Sequence, residues 1–416
     1  MRYKEADIEY NIEADTEVDK KTNHLPFMVL LVLFLISMTF TMIPYFRELR
    51  YIKYIVPFLS PFFLLPRRSY FNLFDELYYK NMIMYFIIVV QSLFVVYISK
   101  PLYMNFFGET LFFTTPLLFT FFLFKYYNHN NKDFYIKFLF WGIVFTYAIH
   151  LLSPERGFTD PIFVNPINLF LKAEKTMGIA SHGLYMGYFM IYFALKKNYR
   201  YFIYALFVSL LSSKRIAMGA LLLVFVIYKL SGKKEWSQMK KVTISVIMVL
   251  INLIIVYFLY HYTLGDYDDF IFLLTGTNAG DITTGRFWIY NMYMDKHVFD
   301  WMGDGIGFVT KTISDIVGMN YNFHSDILKN FLEFGPVVFC LWVYFLYKIN
   351  ARNLKTLLYV IYTNVLFITD NVFIYFDVFF LFYFFITITL IEERDEYEVL
   401  ETEESKELSV EGKIYY

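Results

Sequence analysis

The segment Phe323-His324-Ser325-Asp326-Ile327-Leu328-Lys329-Asn330-Phe331-Leu332-Glu333-Phe334-Gly335-Pro336 gathers an imidazole, two carboxylates, an ammonium and an amide. At helical spacing Asp326, Lys329, Asn330 and Glu333 share one face, while Ile327, Leu328, Phe331 and Leu332 form the other. Such a polar stripe lines an aqueous vestibule more naturally than lipid. His324 stands at its mouth, where an imidazole can take or give a proton near neutral pH. Cations come from elsewhere. Ser212-Ser213-Lys214-Arg215 interrupts two apolar runs, and a charge at bilayer depth costs roughly 2.5 to 3.5 kcal/mol on insertion scales. Lys214 and Arg215 therefore either snorkel to headgroup phosphates or clamp an anion. In Thr283-Thr284-Gly285-Arg286-Phe287-Trp288-Ile289-Tyr290, Arg286 is the only arginine between Arg215 and Arg352. Its planar fork can hold phosphate bidentately, or it can be a plain surface arginine. Asp281 to Thr284 could cap a short helix beginning near Arg286, with Trp288 at an interface. Finally, Lys175 to Gly183 opens an apolar run with another cation and imidazole, Lys175 and His182, which a capped helix start with a packed histidine would also explain.

Other chemistry is excluded or unsupported. The cluster Trp301-Met302-Gly303-Asp304-Gly305-Ile306-Gly307-Phe308 lacks the spacing and flanking elements of a dinucleotide loop and reads as tight turns. The seven histidines are scattered, with no pair at i, i+3 or i, i+4 beside a carboxylate, so no metal and no other cofactor is expected. There is no P-loop, no sign of nucleic-acid binding, and no soluble segment large enough for a nucleotide sugar. A glycosyl donor would have to be lipid-borne. Cys340 is the single cysteine, which rules out an intrachain disulfide.

The elements that must hold these residues are membrane spans. Of 416 residues, 58 % are hydrophobic and 18 % charged, which is incompatible with an ordinary soluble domain. Apolar runs cover roughly 25–45, 54–66, 81–99, 110–125, 134–152, 176–195, 201–213, 216–230, 242–262, 331–347, 355–369 and 372–391. These predict an all-α polytopic protein of about twelve spans, the second weakened by Pro57, Pro61 and Pro66. Short loops at 196–200, 229–241 and 348–355 carry 3, 5 and 3 basic residues. The excess of Lys and Arg in cytoplasmic loops then puts both termini in the cytoplasm and the connections 153–175 and 263–330 outside. The Arg47, Arg50 and Lys53 cluster breaks that rule. Residues 1–24 hold 4 basic and 7 acidic side chains and residues 392–416 hold 3 and 10, so both ends read as disordered acidic tails. The remainder carries 30 basic against 21 acidic residues, a balance suited to anionic lipid or phosphate. The abundant Phe and Tyr read mainly as codon bias. No internal repeat is visible, which weakens an inverted-repeat transporter.

In order and separation, Ser213-Lys214-Arg215, then Arg286 with Trp288, then Gly303, Gly305 and Gly307, then His324-x-Asp326 with Glu333-x-Gly335 resemble the O-antigen polymerase and ligase family, which includes capsule and exopolysaccharide polymerases. Gly178, His182 and Gly187 also look like the matching segment of that family. The resemblance covers about residues 175–345. It implies a GT-C-like membrane glycosyltransferase with a large helical outer loop, acting without metal on the outer face of the cytoplasmic membrane. The donor would be a glycan on undecaprenyl pyrophosphate and the acceptor a hydroxyl of the next lipid-linked repeat unit, with a flippase and a chain-length regulator as protein partners. Carried over by position, Arg215 and Arg286 would bind pyrophosphate and His324 would sit at the reacting centre. The family junction often reads Ser-Arg, so here either Lys214 or Arg215 could make the phosphate contact. His324 could take the acceptor proton or only orient the hydroxyl, with Asp326 and Glu333 as alternative bases or orienters. The competing readings are a ligase passing the finished glycan to lipid A or another envelope acceptor, and a flippase for lipid-linked oligosaccharide.

Overall fold

The computed structural model describes residues 25–41, 44–63, 71–98, 104–151, 180–212, 214–231, 238–276, 286–295, 300–318 and 321–411, and all regular structure among them is helical. The first half holds α1 (Leu25–Phe40), a 3₁₀ segment (Pro44–Tyr51), α2 (Ile52–Phe63), α3 (Phe71–Ile98), α4 (Met104–Phe124) and α5 (Lys132–Leu151). Next come α6 (Ala180–Leu195), α7 (Tyr199–Ser212), α8 (Arg215–Ser231) and α9 (Gln238–Thr263). Three short helices follow, α10 (Asp268–Thr275), α11 (Arg286–Met294) and α12 (Phe308–Val317). The chain then closes with α13 (Asp326–Asn350), α14 (Leu354–Thr369) and α15 (Phe376–Glu411). Where they are described, the apolar runs fall on helices. Among the described residues, five stretches, in α3, α4, α5, α9 and α13, are long and apolar enough to cross a membrane, and α1, α7 and α14 are shorter apolar helices. By length and composition this is a helical membrane protein.

The core lies around α15, whose residues Val378 to Phe385 are buried on every side. A helix apolar all round belongs in the middle of a bundle. It packs on α4, α6 and α14, while α13 packs on α3, α9 and α14. The aromatic residues are the filling: Phe379, Phe380, Tyr383 and Phe385 are at most 1 % exposed, and Phe34 lies 4.3 Å from Phe380 between ring centroids. Gly187 lets α6 approach α14 closely, since a Cβ there would overlap the ring of Tyr362.

Two local readings change. Composition predicts a disordered tail from residue 392, yet α15 continues to Glu411. Its first tail residues are anchored: Glu392 meets Lys196 at 2.9 Å, Lys132 at 3.2 Å and the Tyr192 hydroxyl at 2.9 Å. A sequence rich in Glu, Leu and Lys then has the propensity to carry the helix onward. The anomalous cation Lys53 is also explained. It is 6 % exposed, and its ammonium lies 2.7 Å from Asp377, which also accepts the Tyr185 hydroxyl at 3.2 Å. The charge is neutralised inside the bundle, so the loop-charge rule has nothing to read there. Residues 1–24 and 152–179, with Lys175, lie outside the described residues.

Candidate functional site

Four helix ends converge on one end of the bundle. Glycine at 183, on the first turn of α6, admits the α7–α8 turn: a Cβ there would overlap Ser212 Oγ and sit 2.8 Å from Lys214 Cβ. Lys214 reaches across to the C-terminus of α14, where its ammonium pairs with the Asp370 carboxylate. Asp370 in turn holds the start of α13, its carbonyl accepting the Asp326 N–H at 3.2 Å. His324, two residues before that helix, places Nδ1 3.9 Å from Asp370 Oδ1. Its backbone is left-handed at φ 57°, a region that costs a non-glycine residue about 1 kcal/mol or more and collects at functional sites. Ser325 caps the helix, its Oγ accepting Leu328 N–H at 3.4 Å.

The electrostatics of Asp370 follow from this packing. Burial works to raise its carboxyl, but the adjoining His324 imidazole and the Lys214 ammonium outweigh it and hold the group well below the usual carboxylate range. Asp370 also accepts the Asn371 N–H at 2.9 Å and the Tyr375 hydroxyl at 3.4 Å. Asp326 is fully buried and its Oδ2 accepts the Phe373 N–H at 2.6 Å, which stitches α13 to the segment between α14 and α15. Its Oδ1 has no hydrogen-bond partner. The same is true of both side-chain amide atoms of Asn330, one turn deeper on α13, and of Asn371 beside Asp370. Both asparagines are at most 1 % exposed. Buried amides and carboxylates almost always have partners, so these unsatisfied atoms are the unusual feature of this end of the bundle.

Two predicted cations open helices next to the cluster. Arg215, the first residue of α8, is exposed next to Lys214, whose side chain is 18 % exposed. The side chain of Arg286 lies outside the described residues, but its helix α11 is pressed against Phe323, with Tyr290 and Tyr293 ring centroids 4.5 and 5.6 Å from that ring. Arg286 thus begins a helix docked on the neighbour of His324.

Not all predicted residues join this site. Glu333 is engaged elsewhere: it accepts Lys329 at 3.0 Å and the Val309 N–H at 3.1 Å. Lys329 also pairs with Glu109, which accepts the Thr310 hydroxyl at 2.6 Å, and the three charged side chains are at most 7 % exposed. This triad ties α4, α12 and α13 together. The glycine cluster completes the clamp, with Asp304 N–H and Gly305 N–H donating to the carbonyls of Leu332 and Glu333 at 3.0 and 2.9 Å. Gly335 bends α13 there at φ 72°, and a Cβ on it would lie 2.6 Å from the Trp301 carbonyl oxygen. His182 is buried among rings, 5.2 Å from both Tyr147 and His150 and 5.3 Å from Tyr185 between centroids, so it packs beside the site without opening to it.

The residues that sequence reasoning missed are Asp370 and Asn371. Their signal is an acid–amide pair interrupting the apolar runs 355–369 and 372–391, at the same helix ends as Lys214 and His324. Among the described residues, no three His, Cys, Asp or Glu side chains are grouped to hold a metal ion. Compared with family models, curated proteins and solved structures, the chain has no match in any of the three.

Proposed function

We propose that this protein is a polysaccharide polymerase, joining oligosaccharide repeat units carried on undecaprenyl pyrophosphate at the outer face of the cytoplasmic membrane, within a GT-C-like bundle of about twelve spans. The observation that carries the reading is the meeting of Lys214, His324, Asp326 and Asp370 with unpartnered buried amides at one end of a membrane bundle. Cations suit a pyrophosphate leaving group, unsatisfied amides suit sugar hydroxyls, and an imidazole beside a carboxylate suits a hydroxyl nucleophile. Depth is also favourable. At 14 and 17 residues α7 and α8 span about 21 and 26 Å, against about 30 Å for a hydrocarbon core, so a connection between them sits below the headgroups.

The reaction forms a bond between the acceptor hydroxyl oxygen and the anomeric carbon of the donor. The bond from that carbon to the pyrophosphate oxygen breaks, and its electron pair leaves with the pyrophosphate, stabilised by Arg215 and by Lys214 as it exchanges Asp370 for phosphate. His324, oriented by Asp370, takes the hydroxyl proton; Asp326 fixes the α13 start on which His324 is mounted. Glu333 has a structural part in this scheme.

The test is polymerisation of lipid-pyrophosphate-linked repeat units by the purified protein, with product length read on gels. Wild type is expected to give ladders, and Arg215→Ala, Arg286→Ala and His324→Ala only single units at matched protein levels. Normal ladders from all three variants would refute this site. Transfer of one finished glycan to a separate acceptor would replace polymerase by ligase, and movement of the lipid-linked unit across the bilayer without new linkages would replace both by a transporter.

A further inference from the structure

At the opposite end of the bundle from the site, a cavity of about 390 Å³ opens between α3, α9 and the end of α13. Its polar rim is Glu76 and Lys80 of α3, Lys241 of α9, and Lys348 and Arg352 at the end of α13. Four cations thus surround one carboxylate. Glu76 is already shared, pairing with Lys80 and, at 3.4 Å, with Arg352. Among the described residues neither Lys241 nor Lys348 has an ion-pair partner. Lys240 and Lys241 also stand in the first turn of α9, where the helix dipole disfavours cations and favours an anion. A surplus of positive charge held together against its own repulsion is complementary to an anion of more than one charge-accepting oxygen.

Below the rim the cavity turns apolar. Ile83, Ile87 and Phe345 line it, and Ile83, Ile87, Val90 and Phe94 form an exposed stripe that continues down one face of α3. A soluble phosphate compound would use the rim and leave this stripe unmatched. A lipid uses both.

We propose that this pocket binds an anionic phospholipid, with the headgroup phosphate on Lys241, Lys348 and Arg352 and an acyl chain along the Ile83–Ile87 stripe of α3. Basic pockets between spanning helices recognise lipid headgroups in this way. The site is independent of the polymerase reading, since none of its residues belongs to the Lys214–His324–Asp370 cluster. It gives the end of the bundle opposite that cluster its own specific ligand, one that braces α3 against α9 and α13.

Native mass spectrometry of the purified full-length protein tests this, with phosphatidylglycerol and phosphatidylcholine of identical acyl chains and, separately, inorganic phosphate. Wild type is expected to retain phosphatidylglycerol in preference to phosphatidylcholine, and Lys241→Gln with Arg352→Gln to lower that preference about tenfold, the effect of about 1.4 kcal/mol of charge-assisted contact. Lys348→Gln, at an exposed position, tests the rim without touching the Glu76–Arg352 pair and is expected to weaken retention as well. Lys229→Gln, an exposed lysine outside the pocket, should change nothing. Equal retention of the two lipids, an unchanged preference in both rim variants, or displacement of the lipid by inorganic phosphate at comparable concentration would overturn the proposal.

Discussion

Replacing Asp370 by Asn keeps the shape of the side chain and an oxygen to accept the Asn371 N–H, but removes the charge that Lys214 and His324 share. The carboxylate is 1 % exposed and Lys214 is 18 % exposed, so the pair is mostly but not wholly withdrawn from water. Removing one partner of a fully buried pair costs about 3 to 5 kcal/mol, because the other charge is stranded. Lys214 can partly escape by extending toward the exposed side of Arg215. The cost should therefore fall nearer that of one charge-assisted hydrogen bond, about 1.5 to 3 kcal/mol. The assay is a double-mutant cycle of Asp370→Asn and Lys214→Met, with unfolding followed in mixed micelles under increasing denaturing detergent. Lys214→Met alone leaves Asp370 buried with only the imidazole and neutral donors, so it should cost at least as much. The double variant should be less destabilised than the sum of the two by about 1 to 2 kcal/mol, the signature of two residues acting on each other. Additive effects would refute the ion pair as the link between the α7–α8 turn and the end of α14.

The pH dependence of the same pair has a definite sign. A carboxyl held below its usual value of 3.8 contributes stability that is complete above that value and is lost as pH falls below it, so the gap in midpoint between wild type and Asp370→Asn should stay constant from neutral to mildly acidic pH and close only in strong acid. Gly303→Ala and Gly335→Ala should each cost about 2 kcal/mol or more, from positive-φ strain at φ 78° and 72° plus backbone overlap, whereas Gly219→Ala, with open space around it in α8, should be neutral or slightly stabilising in the same unfolding assay. Lys329→Met should destabilise by about 3 to 5 kcal/mol by stranding Glu109 and Glu333, and adding Glu109→Gln with Glu333→Gln should recover a large part of that loss; no recovery would mean that Lys329 acts through packing of its stem.

Much of the helical layout was legible because it depends on local composition. Where described, the apolar runs are helical, and a short helix begins at Arg286. Tertiary pairing was not legible. Lys53 and Asp377 stand 324 residues apart, so no window of sequence could show that the charge breaking the loop rule is neutralised by the first turn of α15. The helical continuation past residue 391 has the same cause, since Glu392 is held by Lys132 and Lys196 from other helices.

The polar stripe of α13 shows how far periodicity reaches and where it stops. Its spacing correctly put Asp326, Lys329, Asn330 and Glu333 on one face, but a face is shared by everything packed along its length. Asp326 meets the Asp370–Phe373 segment, whereas Lys329, less than one turn along, and Glu333, two turns along, meet Glu109 and Val309. One stripe therefore serves two tasks, divided by partner. The Lys329–Glu109–Glu333 triad gives every carboxylate oxygen a donor, and backbone bonds to Leu332 and Glu333 hold the glycine turn against the bend at Gly335, which makes a rigid footing. Asp326 and Asn330, on the same face, keep polar atoms unsatisfied. Rigid support beneath an under-satisfied polar cluster is what a preorganised site requires, since the groups cannot relax to satisfy one another before a ligand arrives. The division also separates the effects of mutation: changes at Lys329 or Glu333 should show first in stability, and, under the proposed function, changes at His324 or Arg215 should show first in polymerisation.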